Sequence, residues 1–267
     1  MYSVKSTFNK SGEIKMSRIE LFRQHLIEKR AVKVIAGIDN FDSEKVKMVV
    51  NAAEAAGASA VDICADENII REVREMTELP IFVSSVVPSE LARAVELGAD
   101  AIELGNFDAL YKKGMMFSAS EVMSLVKETL SLLGENRVFF SVTIPGEISI
   151  AEQIDLAREL EYMGIDVIQT EGHYSNNENY EGVRGLMDRA QLTLSNTIEL
   201  SRNVDMAIMT ATGINSTTAP FAFAAGASAV GIGSCVNKLN SEIMMIATIK
   251  SIIEIAEKNK QEVLELV

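Results

Sequence analysis

Four stretches of this chain are versions of one another, and no other feature limits its fold as tightly. They read AAGASAVDI, ELGADAIEL, YMGIDVIQT and AAGASAVGI, with Gly57, Gly98, Gly164 and Gly226 at the shared third position. A glycine there supplies the left-handed residue that ends a helix. The β-branched run that follows each one reads as a strand. Extending the same reading along the chain places strands at about 33–38, 60–64, 80–84, 100–104, 138–143, 166–170, 206–210 and 229–232, separated by amphipathic segments such as 43–56 and 150–163. Strands that alternate with helices must lie parallel, and eight such units close into a single (β/α)8 barrel, an α/β fold. One barrel of about 250 residues nearly exhausts the 267 present, so no second domain is expected. The expected division is a tail and leading helix over 1–30, the barrel over 31–257, and the end of the last helix over 258–267. Met16 offers a second start, which would make residues 1–15 a dispensable polar tail.

The repeat also assigns side chains to layers. Five positions beyond each glycine stand Asp62, Glu103, Gln169 and Gly231. Their neighbours Val61, Ile63, Ile102, Leu104, Ile168, Val230 and Ile232 belong on the face that packs against helices, so the polar set faces the barrel interior. Even-numbered strands normally fill such a layer with branched apolar residues, whereas here it holds two carboxylates, an amide and a gap. The same alternation turns Lys33, Gly37 and Asp39 of the first strand inward, within reach of those acids. A buried charge must be paired, so one reading is a structural plug of Lys33, Asp62 and Glu103. The other reading is catalytic, because barrel enzymes place their chemistry at the carboxyl ends of the strands, where Asp39, Glu103, Glu171 and Thr143 are expected.

The strongest motif lies at the last two strands. IMTATGIN puts Thr212 and Gly213 just past strand seven, with Asn215 or Ser216 expected to cap the next helix, and strand eight ends VGIGS. In this architecture the loops after strands seven and eight hold phosphate through backbone N–H groups, which requires that the chain approach closely. Thr212, Gly213, Gly231, Gly233 and Ser234 are therefore the expected phosphate ligands. The alternative is that these glycines only relieve crowding at the mouth.

Two connections exceed the usual length, 105–118 and 171–187. The second holds Tyr174, Tyr180 and Arg184 and is read either as a lid or as a plain surface loop. His173 at its base is read either as an acid/base group beside Glu171 or as a solvated loop histidine, and His25 on the leading helix is read as structural. The net charge of −13 repels polyanions and anionic lipid surfaces, which argues against nucleic-acid and membrane partners. An anionic ligand must then be held locally. The chain has neither an apolar span nor a secretory signal, so the expected place is the cytoplasm. Cys64 and Cys235 are expected to stay reduced and are not spaced as metal ligands with histidines. There is no GxSxG elbow, Walker sequence or dinucleotide GxGxxG, and Lys33 sits too deep for Schiff-base chemistry.

KVIAGIDNFD, VDICAD, VSSVVPSE, IELGNFDALYKKGMMFSASEV, SVTIPG, VIQTEG and TAPFAFAAGASAVGIGSCVNKL, in this order, resemble the hypothetical chloroplast reading frame twenty-three family of cyanobacteria, algal plastids and some other bacteria. The resemblance runs from about Ala31 to the final helix. It implies a barrel related to the phosphate-binding barrels, and a plastid stroma location for plastid-encoded members. It brings no activity and no catalytic residues. Glu171 fits the family pattern, while His173 stands where that pattern has glycine.

The functional expectation is an enzyme of lyase or isomerase type that acts on a small phosphorylated metabolite, with proton transfer by Glu171, Glu103, Asp39 or Asp62. Two alternatives are an FMN-binding oxidoreductase using the same phosphate seat and a non-catalytic phosphometabolite sensor. No cofactor is diagnosed: FMN is compatible with the seat, and Mg²⁺ with Asp39, Asp62 and Glu103, although these lack diagnostic metal-ligand spacing. The expected partner is a small phosphorylated molecule, and pairing into a homo-oligomer stays open.

Overall fold

The computed structural model of the protein describes residues 7–8, 14–111, 113–172 and 182–265. Eight parallel strands close into a barrel: β1 (Ala31–Ile35), β2 (Ala60–Cys64), β3 (Ile81–Ser85), β4 (Ala101–Leu104), β5 (Phe139–Ile144), β6 (Val167–Thr170), β7 (Ala207–Thr210) and β8 (Ala229–Ile232). Each strand pairs with the next, and β8 returns to β1 with Gly231 opposite Lys33. The (β/α)8 expectation is thereby met. The glycines of the repeat all adopt positive φ, as left-handed helix ends require.

Helices form where capping and apolar spacing coincide. Ser43–Ala56 starts on Asp42, whose carboxylate accepts from the Lys45 amide, and ends on Gly57 at φ 80°. Ala119–Leu133 and Ile150–Tyr162 each open with a reciprocal capping box, Ser118 with Glu121 and Ser149 with Glu152. The apolar faces of these helices cover the outward residues of the strands. Val61, Ile63, Val230 and Ile232 lie in one cluster, and Ile102, Leu104 and Ile168 in another.

The amino end of the barrel is closed by the leading helix Arg18–Ile27. Its Phe22 is fully buried and meets Phe82 and Phe139 edge-on, with ring centroids 5.0 and 5.5 Å away. Small residues, Ala31, Ala60, Ala101 and Ala229, complete this dry layer. His25 of the same helix is structural, its Nδ1 2.8 Å from Ser59 Oγ. Before this helix, Thr7–Phe8 and Ile14–Lys15 pair as a small antiparallel hairpin inside the stretch read as a tail.

Three local expectations are corrected. The first strand ends at Ile35 and not at 38, because Gly37 at φ 116° turns the chain and Ile38–Asp39 form a turn. Strand alternation therefore does not govern Gly37 and Asp39. The connection after β4 is not open loop throughout: it contains the short helix Asp108–Tyr111. The helix after β7 is Ala219–Ala224, too far along for Asn215 or Ser216 to cap. Asn215 instead closes its own turn, with Oδ1 accepting from the Thr217 amide at 2.8 Å. His173, Tyr174 and Tyr180 lie outside the described residues. Arg184 is exposed on the helix Gly182–Ser201, 3.8 Å from Asp188. No helix among the described residues is long and apolar enough to cross a membrane.

Candidate functional site

One layer above the phenylalanines, the interior becomes polar. Lys33 Nζ lies 2.6 Å from Glu103 Oε2 and 3.1 Å from Asp62 Oδ2, and none of the three side chains is more than 1% exposed. Ser141 donates to Glu103 at 2.6 Å, and Ser84 donates to Asp62. Burial drives the Glu103 carboxyl above its ordinary range. The Lys33 charge opposes this and the Asp62 charge adds to it. For Lys33 burial alone would favour the neutral amine, but the two carboxylates outweigh it and hold the ammonium protonated. This ionic plug is roofed by amides. Gln169 Nε2 donates to Glu103 Oε1 and Asn106 Oδ1, both at 2.9 Å, and Asn106 Nδ2 donates to Ser84 at 2.9 Å and Asp62 at 3.3 Å.

Above the roof opens a cavity of about 150 Å³ at the carboxyl ends of the strands. Asp39, Asn106 and Asp108 line it, with Gly231 of β8 and, from the loops after β7 and β8, Thr212, Gly213, Gly233 and Ser234. Gly213 is explained by the fold: its φ is 77°, and a side chain would meet the Arg189 carbonyl oxygen at 2.7 Å. Gly233 is not explained by crowding. A methyl there would find its nearest protein atom, the Ile35 carbonyl oxygen, at an ordinary 3.6 Å. Among the described residues no backbone carbonyl accepts from the amides of Gly213, Ile214 or Ser234. The turn carrying Gly213 is pinned from behind, where Thr218 Oγ1 donates to the Gly213 carbonyl at 2.9 Å.

Two non-glycine residues in the cavity wall sit in left-handed backbone, Asn106 at φ 62° and Thr212 at φ 66°. For a β-branched residue that conformation is strained. Contacts at the mouth hold it in place: Thr212 Oγ1 donates to Asp108 Oδ2 at 3.0 Å, and the Asn106 amide donates to Thr143 Oγ1 at 3.1 Å.

Glu171 is buried behind this wall. Its Oε1 accepts from Tyr111 Oη and from the Gly146 amide at 3.1 Å, and its Oε2 accepts from the Asp108 amide at 3.1 Å. Burial pushes its carboxyl well above the ordinary value, and the Asp108 charge pushes the same way. It thus ties the loops after β4, β5 and β6 together and sets the position of Asp108. Tyr111, raised by burial and by the charge of Glu171, stays a neutral donor.

Of the four acids singled out from sequence, Asp39 alone lines the cavity, about half exposed and 3.3 Å from Lys113 Nζ. Asp62 and Glu103 lie under the amide roof, and Glu171 lies behind the wall. All five expected phosphate residues are in the lining. Sequence reasoning missed Asn106 and Asp108. Their signal was faint: the unusually long GNFDALY connection directly after the inward Glu103. For Mg²⁺ the donors fit poorly. The oxygens of Asp62 and Glu103 already face an ammonium and four uncharged donors, and no group of three or more His, Cys, Asp or Glu able to hold a metal ion occurs among the described residues.

The family model described as "Protein of unknown function (DUF561)" matches residues 16–262. "Uncharacterized protein ycf23" of Pyropia yezoensis is 38% identical over 239 residues, covering 88% of this chain and 87% of its own length. The protein of the same description from Cyanophora paradoxa is 37% identical over 233 residues, 85% of this chain and 93% of its own. Among solved structures, 3-hexulose-6-phosphate synthase from Salmonella typhimurium aligns with a TM-score of 0.64 at 12% identity, over 86% of this chain and 99% of its own. (S)-3-O-geranylgeranylglyceryl phosphate synthase from Thermoplasma acidophilum, in complex with substrate sn-glycerol-1-phosphate, aligns with a TM-score of 0.58 at 13% identity, over 91% of this chain and 100% of its own. At such identities the likeness carries the barrel fold alone.

Proposed function

This chain belongs to the ycf23 family (DUF561), and on that premise we propose that it is an enzyme of lyase or isomerase type acting on a small phosphorylated metabolite. The observation that carries the reading is the meeting of two features in one cavity: loops after β7 and β8 whose Gly213, Ile214 and Ser234 amides have no backbone acceptor among the described residues, and the acids Asp39 and Asp108. In this role the backbone of Gly213, Ile214, Gly233 and Ser234 receives the phosphate, which a chain of charge −13 must hold by local donors. Gly233 lacks a side chain so that the phosphate can approach its backbone.

Asp39 and Asp108 are the proton-transfer groups in this scheme, since they face the ligand. Glu171 acts as a positioning residue that orients Asp108, and the Lys33–Asp62–Glu103 plug supports the floor. Barrels of this fold whose names carry phosphorylated compounds, such as 3-hexulose-6-phosphate synthase, support the same reading. The compact cavity suits a small metabolite better than FMN, whose ring system would need a larger pocket.

The test is calorimetric titration of the protein with inorganic phosphate and with simple phosphomonoesters. Binding by the wild type and a loss of about tenfold or more in Gly233→Ala, at nearly unchanged stability, are expected. No binding of any phosphate compound would remove the basis of the proposal.

A further inference from the structure

The floor of the cavity holds a polar atom that the mouth chemistry leaves unused. Gln169 is 1% exposed, and its Oε1 has no hydrogen-bond donor among the described residues. Its orientation follows from its neighbours. The Asp62 carboxylate accepts from Asn106 Nδ2, so Asn106 turns its Oδ1 toward Gln169. Gln169 must then present its amide nitrogen, whose two hydrogens go to Asn106 Oδ1 and Glu103 Oε1, with Thr143 Oγ1 a longer contact at 3.3 Å. A flipped amide would set its oxygen against two acceptors.

The Oε1 so fixed faces the gap at Gly231. A side chain there would lie 3.3 Å from Gln169 Oε1 and 3.0 Å from both Ala211 Cβ and Ile35 Cδ1. Gly231, Ala211 and Ile35 all line the cavity. The missing side chain therefore leaves a narrow slot between the cavity and a buried, oriented acceptor, too tight for a water molecule unless the Ile35 side chain gives way. A buried acceptor without a donor is costly, and such groups in native proteins are normally matched.

We propose that Gln169 is a specificity residue that accepts a hydrogen bond, through the slot at Gly231, from a hydroxyl of the ligand. The ligand class is then the phosphomonoester of a small polyhydroxy compound. This rests on the phosphate reading above and adds the far end of the ligand to it. The remaining polar groups agree in kind, because Asp39 and Asp108 present acceptors to the same space and call for hydroxyl donors. A hydroxyl suits the slot better than an ammonium, since the floor acceptor is a neutral amide and an ion there would lose its hydration without a countercharge in contact.

The experiment compares affinities of the full chain for ethyl phosphate, phosphoethanolamine, glycerol phosphate and a pentose phosphate. Ethyl phosphate reports the phosphate seat alone, and the gain of the hydroxylated compounds over it reports the floor. The expected gain is about tenfold or more in the wild type. It should fall to about threefold or less in Gly231→Ala and in Gln169→Met, each gain being taken relative to the ethyl phosphate affinity of the same variant. Gly231→Ala leaves the ion plug intact, so the test survives if Gln169→Met fails to fold. No gain in the wild type, a gain retained in Gly231→Ala, or a gain confined to phosphoethanolamine would overturn the proposal while the phosphate seat stands. A wild type that binds none of the four would overturn the phosphate reading, and this inference with it.

Discussion

Removing the Lys33 ammonium tests the barrel interior most directly. In Lys33→Met the stem volume is kept, while Glu103 Oε2 and Asp62 Oδ2 lose the cation that lay 2.6 and 3.1 Å away, in a site no more than 1% exposed. Breaking a buried pair from one side costs about 3–5 kcal/mol, because the partner charge stays behind uncompensated. At about 2–4 °C per kcal/mol for a domain of this size, the melting temperature should fall by about 6–20 °C. The loss must depend on pH. Without the ammonium, the buried Glu103 carboxyl loses the charge that opposed its upward shift, so the variant is most stable at or below the ordinary carboxyl range and weakens as pH rises through the raised value. Urea denaturation at pH 5 and pH 8 measures both terms, and the deficit relative to wild type should be larger at pH 8. Neutralising all three positions, Lys33→Met with Asp62→Asn and Glu103→Gln, should recover most of the loss. A deficit below about 1 kcal/mol, or one equal at both pH values, would refute the reasoning, because a buried uncompensated charge cannot be that cheap.

Gly213→Ala puts a side chain into left-handed backbone and against the Arg189 carbonyl. It should cost at least about 1–2 kcal/mol by denaturation, whereas Gly233→Ala stays near wild type in stability and loses ligand. His25 is lowered to about 4 by burial first and by the Arg30 charge second, so the stability its neutral form contributes is complete above 6.5 and is lost as pH falls toward 4. In His25→Gln the difference in unfolding free energy between pH 7 and pH 5 should shrink by up to about 2 kcal/mol, and an unchanged difference would show that His25 does not titrate as its burial requires.

Much of the interior was legible from the chain alone. A parallel strand buried on both faces exposes its alternation only through polar exceptions, and Asp62, Glu103 and Gln169 are those exceptions. Their common distance from the repeat glycines places them in one layer. The glycines of the cavity lining were legible for a similar reason, since Gly213, Gly231 and Gly233 fall at or just beyond the ends of strands seven and eight. Asp39 does line the cavity, but from a turn and not by strand alternation, because Gly37 ends the strand early and no parity holds beyond a left-handed turn.

The order of βα units, the closed barrel, the polar layer and the glycine loops are consequences of periodicity, which is local and therefore written in the sequence. Which acid faces the cavity is not local. Glu171 is turned into the wall by donors from two other loops, Asp108 is brought forward by that clamp and by Thr212, and Asn106 bends into left-handed backbone to roof the ion plug. Those choices depend on which hydrogen-bond partners arrive from segments far apart in the chain, and only packing in three dimensions brings them together.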